Sequence, residues 1–146
     1  MPEITHTAIA DQIDESHHPK SFISKYIWSQ DHKVIAIQYA ITAIVVGLVS
    51  LILSGMMRLQ LGFPDQFSFI DPSAYLQFVT MHGMIMVIYL LTALLLGGFG
   101  NYLIPLMVGS RDMVFPYLNM LSYWTYLLAV IILMASFFVS GGQTGA

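Results

Sequence analysis

The sequence predicts an all-α integral membrane helical bundle with three transmembrane helices. Its composition is 57% hydrophobic and only 9% charged over 146 residues, too apolar for an ordinary soluble domain of that length. Residues 34–57 and 72–110 carry no Lys, Arg, Asp or Glu, and each run is long enough to cross a bilayer. A third apolar run begins at Leu118, and the connections between runs hold the Pro, Gly and charged residues that turns require. Three such helices form a small core, so further helices or partner chains are expected around them. The formal charge of −3 is small and the five Lys and Arg residues form no patch, which excludes a nucleic-acid surface. Cysteine is absent, so any metal or cofactor must be held by His, Met, carboxylate or backbone.

Residues 1–21 read as a polar tail with four acids, Glu3, Asp11, Asp14 and Glu15. The tail is not a secretory signal, because no basic region precedes a short apolar stretch. His17 and His18 within it read as solvated rather than metal-bound. In residues 22–33, FISKYIWSQDHK, the side chains Phe22, Ile23, Tyr26 and Ile27 fall at helical spacing with Trp28 behind them. That pattern suits a short anchoring helix in the membrane interface.

The first transmembrane helix is expected at about 34–57, 24 uncharged residues or about 36 Å, ending at Arg58. A polar connection with Pro64, Asp65, Asp71 and Pro72 follows. The second helix is expected at about 74–109, longer than one bilayer, with Pro105 placed to bend or end it. The third is expected at about 118–140, and the close on GGQTGA without a polar tail reads as truncation. Together residues 34–146 make one domain without internal repeats. Lys20, Lys25, Lys33 and Arg111 flank the helices on the N-terminal side and only Arg58 on the other, so the N-terminus is expected to be cytoplasmic.

His82 is an ionisable residue inside an apolar run, and its cost in hydrocarbon makes an inward-facing site its default reading. Two roles stand: an axial ligand to haem iron, or a histidine hydrogen-bonded to a carbonyl or hydroxyl on a neighbouring helix. No second histidine lies inside a predicted span to complete a six-coordinate haem. Arg58 either raises the electron affinity of a cofactor by a fixed positive charge or snorkels to the headgroups. Asn101, Asp112 and Asn119 flank the turn between the second and third helices. They could order a file of water with a proton-collecting carboxylate at its mouth, or they could be ordinary caps and turn residues. His82 lies toward the outer side, and Asn101, nineteen residues or about 28 Å further along, toward the inner side. Gly97, Gly98 and Gly100 read as close helix packing, and the methionines around His82 as adaptable filling. Trp124, Tyr123 and Tyr126 read as the start of an interfacial aromatic belt.

The joined elements HG at 82–83, GGFGN at 97–101, RDM-x-FP at 111–116 and LSYW at 121–124 resemble the second and third helices of subunit I of the haem-copper terminal oxidases. SQDHKVIAIQY and MMRLQL resemble that subunit's first helix, in the right order, so the resemblance covers about residues 24–146. It implies the N-terminal part of a larger bundle, the catalytic subunit of a proton-pumping oxidase. Such an enzyme passes electrons from cytochrome c through a low-spin haem, expected as haem A, to a haem-copper centre that reduces oxygen. It further implies that His82 is an axial ligand of the low-spin haem and that Arg58 stands beside the formyl group of that haem. Asp112 corresponds to the carboxylate at the mouth of the D proton channel, with Asn101 and Asn119 inside the channel. The ligands of the high-spin haem and copper, and the second low-spin ligand, come from later helices in this family, outside this chain.

Gln60 stands where an acid of a non-redox cation site is frequent, Met120 replaces a second asparagine, and Tyr117 replaces an arginine. Val49, Leu53 and Ala74 stand where a quinol-oxidase pattern has Arg, Asp and His, which favours cytochrome c as donor. The implied partners are the remaining helices of subunit I, the other oxidase subunits, the electron donor and the lipid of a respiratory membrane, expected as a bacterial inner membrane. A quinol oxidase and a non-catalytic three-helix scaffold are the competing readings.

Overall fold

The structure, a computed structural model, describes residues 21–67, 70–111 and 113–139. The polar tail with His17 and His18, the turn residue Asp112 and the closing GGQTGA lie outside the described residues. Helix α1, Phe22–Tyr26, is a single short turn. Helix α2, His32–Gly62, begins at Asp31, whose carboxylate accepts the Lys33 N–H at 3.3 Å and so satisfies one of the open donors of the first turn. It runs through Arg58 for one further turn, since a single long charged side chain at a helix end can reach water without breaking the helix. Pro64 stops it: the residue before a proline is pushed out of the α region, and Phe63 adopts φ −135°, ψ 65°.

Helix α3 spans Pro72–Val108, 37 residues with proline at its first position, where the missing N–H costs nothing. Its middle, Ile85–Gly100, is wound in the wider π register. The threonines follow the winding: Thr80 Oγ1 donates to the carbonyl four residues back, Leu76, whereas Thr92 Oγ1 donates five back, to Val87. Asn101–Val108 returns to α geometry. Pro105 there provides no N–H for the Asn101 carbonyl, and the helix closes at Gly109, φ 76°, the left-handed conformation that glycine adopts without penalty. The N–H of Ser110 bonds back to Pro105 O at 3.0 Å and that of Gly109 to Leu106 O at 3.2 Å, a Schellman closure. Helix α4, Pro116–Ser136, again opens on a proline.

All three long helices are apolar and long enough to cross a membrane. Two buried clusters show how they run. In one, Ile35, Tyr39 and Ala43 of early α2 meet Ala93 of α3 and Met120 and Tyr123 of early α4. In the other, Val46 and Leu53 further along α2 meet Met81 and Ile85 of early α3 and Val130 and Leu133 of late α4. The order is therefore up, down, up. Tyr123 is only 8% exposed and Tyr126 donates to Tyr89 O at 2.8 Å, so these two are core residues rather than the interfacial belt their spacing suggested. Trp124 does meet another aromatic ring, that of Trp28, at 5.5 Å. The outer faces keep large apolar side chains exposed, among them Leu51, Ile52 and Leu96, as lipid or further helices require.

The glycine-rich stretch of α3 packs against α2, with Gly98 close to Ala36 and Ala40. A Cβ on Gly97 would lie 2.6 Å from Tyr39 Cδ1. The Tyr39 ring is fixed by edge contact with Tyr123 at 5.2 Å and by its hydroxyl bond to Ser122, so it cannot simply turn away. Gly97→Ala is expected to destabilise the bundle by about 1–3 kcal/mol through overpacking. Thermal unfolding in detergent checks this against Gly55→Ala, whose new methyl meets nothing within 4 Å and should stay within about 0.5 kcal/mol of the parent.

Candidate functional site

His82 lies on the last α-wound turn of α3 before the π segment, half-buried, between the buried side chains Met81 and Ile85. Across from it on α2 is Ser50, fully buried. His82 Nδ1 is 3.1 Å from the carbonyl oxygen of Ser50 and 2.8 Å from its Oγ. A carbonyl can only accept, so the first contact is a hydrogen bond only when Nδ1 carries the proton. The Ser50 hydroxyl in turn donates to the His82 carbonyl at 3.4 Å. With the proton on Nδ1 the ring donates to Ser50 and keeps the Nε2 lone pair open to a ligand, the arrangement usual for metal-binding histidines. The two readings of His82, hydrogen-bonded histidine and ligand, are thus compatible, because each uses a different ring nitrogen.

Arg58 is exposed and does not share that contact. It lies eight residues beyond Ser50 on α2, about 12 Å along the axis, in the half of α2 that faces the start of α3. Among the described residues no group of three or more His, Asp and Glu side chains could hold a metal ion.

The opposite end of the bundle carries a polar file. Ser122 Oγ donates to Asn119 O at 2.6 Å, which leaves Ser122 Oγ to accept from the Tyr39 hydroxyl at 3.0 Å. Thr42 Oγ1 donates to Gln38 O at 2.8 Å and accepts from the Tyr123 hydroxyl at 3.0 Å. Asn119 Nδ2 is buried without a hydrogen-bond partner, the kind of orphan donor that ordered water satisfies. Beside it is a cavity of about 500 Å³ lined by Ile104, Pro105, Val108, Ser110, Phe115 and Asn119. Asn101 is half-buried one turn before Pro105 and does not line that cavity. Tyr39, Thr42 and Ser122 had no place in the sequence reading of this end. A tyrosine in the middle of an apolar run was the available signal, since a buried phenol needs a partner for its hydroxyl.

A family model described as Cytochrome C and Quinol oxidase polypeptide I matches residues 34–146. A protein of Bradyrhizobium diazoefficiens named alternative cytochrome c oxidase subunit 1 is 73% identical over 132 residues, 90% of this chain and 22% of its own length. Cytochrome c oxidase subunit 1 of Thermostichus vulcanus is 43% identical over 130 residues, 88% of this chain and 23% of its own. Heme-copper oxidase subunit I+III of Aeropyrum pernix is 39% identical over 122 residues, 84% of this chain and 15% of its own. The chain therefore spans less than a quarter of the length of each of these relatives.

Proposed function

The chain belongs to the cytochrome c and quinol oxidase polypeptide I family, and from that premise we propose that it is the N-terminal part of a terminal oxidase's catalytic subunit, holding a low-spin haem at His82. The single observation that supports this most is the Nδ1 contact with the Ser50 carbonyl. It is also the test of whether the residues present suit a haem, and they do: Nδ1 is held against Ser50, so Nε2 is the ring nitrogen left to meet an iron. A haem held there supplies a one-electron couple. His82 provides the axial nitrogen, Ser50 fixes its tautomer and ring plane, and Arg58 places a positive charge in the same half of α2. Asp112 collects protons at the N-terminal side, expected to be cytoplasmic, and Asn101 and Asn119 order the water that carries them inward. The buried orphan donor of Asn119 beside a roomy cavity supports that part of the reading.

The test is a reduced-minus-oxidised visible spectrum of the native complex that contains this chain. A low-spin haem band is expected, with a position that identifies haem A or haem B. The absence of any haem band would favour the three-helix scaffold. Turnover supported by reduced cytochrome c rather than by quinol is expected, consistent with Val49, Leu53 and Ala74 in place of polar residues of the quinol pattern. Ser50→Ala keeps the backbone carbonyl and removes only the hydroxyl contacts, so it should weaken haem retention by no more than about tenfold, the lower end for a supporting ligand contact. Haem content after extended washing measures it.

A further inference from the structure

The α1 segment carries its apolar side chains outward. Phe22 is 71% exposed, Ile23 62% and Trp28 60%, with Tyr26 and Ile27 also exposed. Phe22 with Tyr26 and Ile23 with Ile27 share one face by the i, i+4 rule, and Ser24 and Lys25 occupy the other. The bundle holds the segment in this attitude at two points. Gln38 Nε2 donates to the carbonyls of Tyr26 and Ile27, and the Trp28 ring packs on Trp124 at 5.5 Å. The apolar face therefore cannot rotate into the core, and it stands just before the uncharged run that starts at Val34, at the height where α2 enters hydrocarbon.

Between α1 and α2 lies a cleft of about 450 Å³ lined by Ser24, Lys25, Trp28, Ser29, Gln30 and Asp31. Lys25 Nζ lies 5.3 Å from the centre of the Tyr26 ring, and Lys33 is exposed in the first turn of α2. The one carboxylate of the cleft, Asp31, accepts from the Lys33 N–H at 3.3 Å, so the two lysines outnumber the acid at this elbow. Lys25 and two serine hydroxyls line the cleft and Lys33 stands exposed beside it, next to the apolar side chains of α1. We infer that the elbow between α1 and α2 binds the phosphodiester headgroup of an anionic phospholipid, with Lys25 and Lys33 supplying the charge and the outward face of α1 lying on its acyl chains.

The test uses the native complex in nanodiscs of equimolar phosphatidylglycerol and phosphatidylcholine, with retained lipid counted by native mass spectrometry. Wild type is expected to retain phosphatidylglycerol preferentially, and Lys25→Gln and Lys33→Gln each to lower that retention by about fivefold. Lys25→Arg with Lys33→Arg should restore it. The chain contains no cysteine, so a nitroxide at Ile23→Cys reports on this face without a competing site in the chain. It should be accessible to oxygen dissolved in the acyl region. Equal phosphatidylglycerol retention in wild type and the two glutamine variants overturns the inference. So does a nitroxide shielded from both oxygen and water-soluble relaxants, since protein would then cover the face.

Discussion

His82→Ala in the native complex is expected to abolish the low-spin haem band of the reduced-minus-oxidised spectrum. On the proposed function the variant removes the axial nitrogen itself, so the loss should exceed the roughly 10–100-fold that a supporting residue outside the metal's own ligands is worth. The surroundings should survive it. His82 is only half-buried, while the neighbouring core contacts of Met81 and Ile85 are made by other side chains. Ser50 is the group most affected, because its carbonyl and hydroxyl lose their imidazole partner while remaining buried. To separate loss of the ligand from loss of the fold, His82→Gly should regain part of the band when imidazole is supplied in the buffer. A normal haem content in His82→Ala would remove the axial ligand from the proposed function.

Asp112→Asn should leave that band unchanged and slow proton uptake by about a hundredfold, the lower end of what a positioned proton-transfer group contributes. The amide matches the carboxylate in size but has no basic oxygen to take a proton from water. His82 precedes the π segment of α3, and residue 112 follows the helix end at Gly109. Uptake is read with a pH-indicating dye after a reductive pulse in reconstituted vesicles. Unchanged uptake would remove Asp112 from the path, and loss of the haem band would show that the residue acts on the fold instead.

The residues that the sequence marked are those whose chemistry is out of place in hydrocarbon. A histidine, a run of glycines and a proline in an uncharged stretch each have few physical explanations, and His82, Gly97 and Pro105 all have distinct places in the structure. Ser50, Thr42 and Ser122 were not marked, because a Ser or Thr hydroxyl is tolerated almost anywhere in a helix by bonding back to its own turn, as Thr80 and Thr125 do. Nothing in the local sequence distinguishes those from hydroxyls that bond across helices. Tyr123 and Tyr126 were misassigned to an interfacial belt for the same reason: aromatic spacing does not tell which side of a helix faces the bundle.

The sequence by itself determined the fold class and the positions of the membrane-crossing runs, because burial in lipid demands long uncharged segments whatever their neighbours are. It also carried local boundary signals, since Pro64 stops α2, Gly109 closes α3 and Pro116 opens α4 through backbone geometry within a residue or two. Only the tertiary structure decided which nitrogen of His82 faces Ser50, which glycine receives a neighbouring ring, and which hydroxyls form a file at the end with Asn119. Those outcomes depend on the distance between atoms of different helices, 32 to 83 residues apart in the chain for the bonds of His82 and Tyr39, and no local pattern encodes that distance.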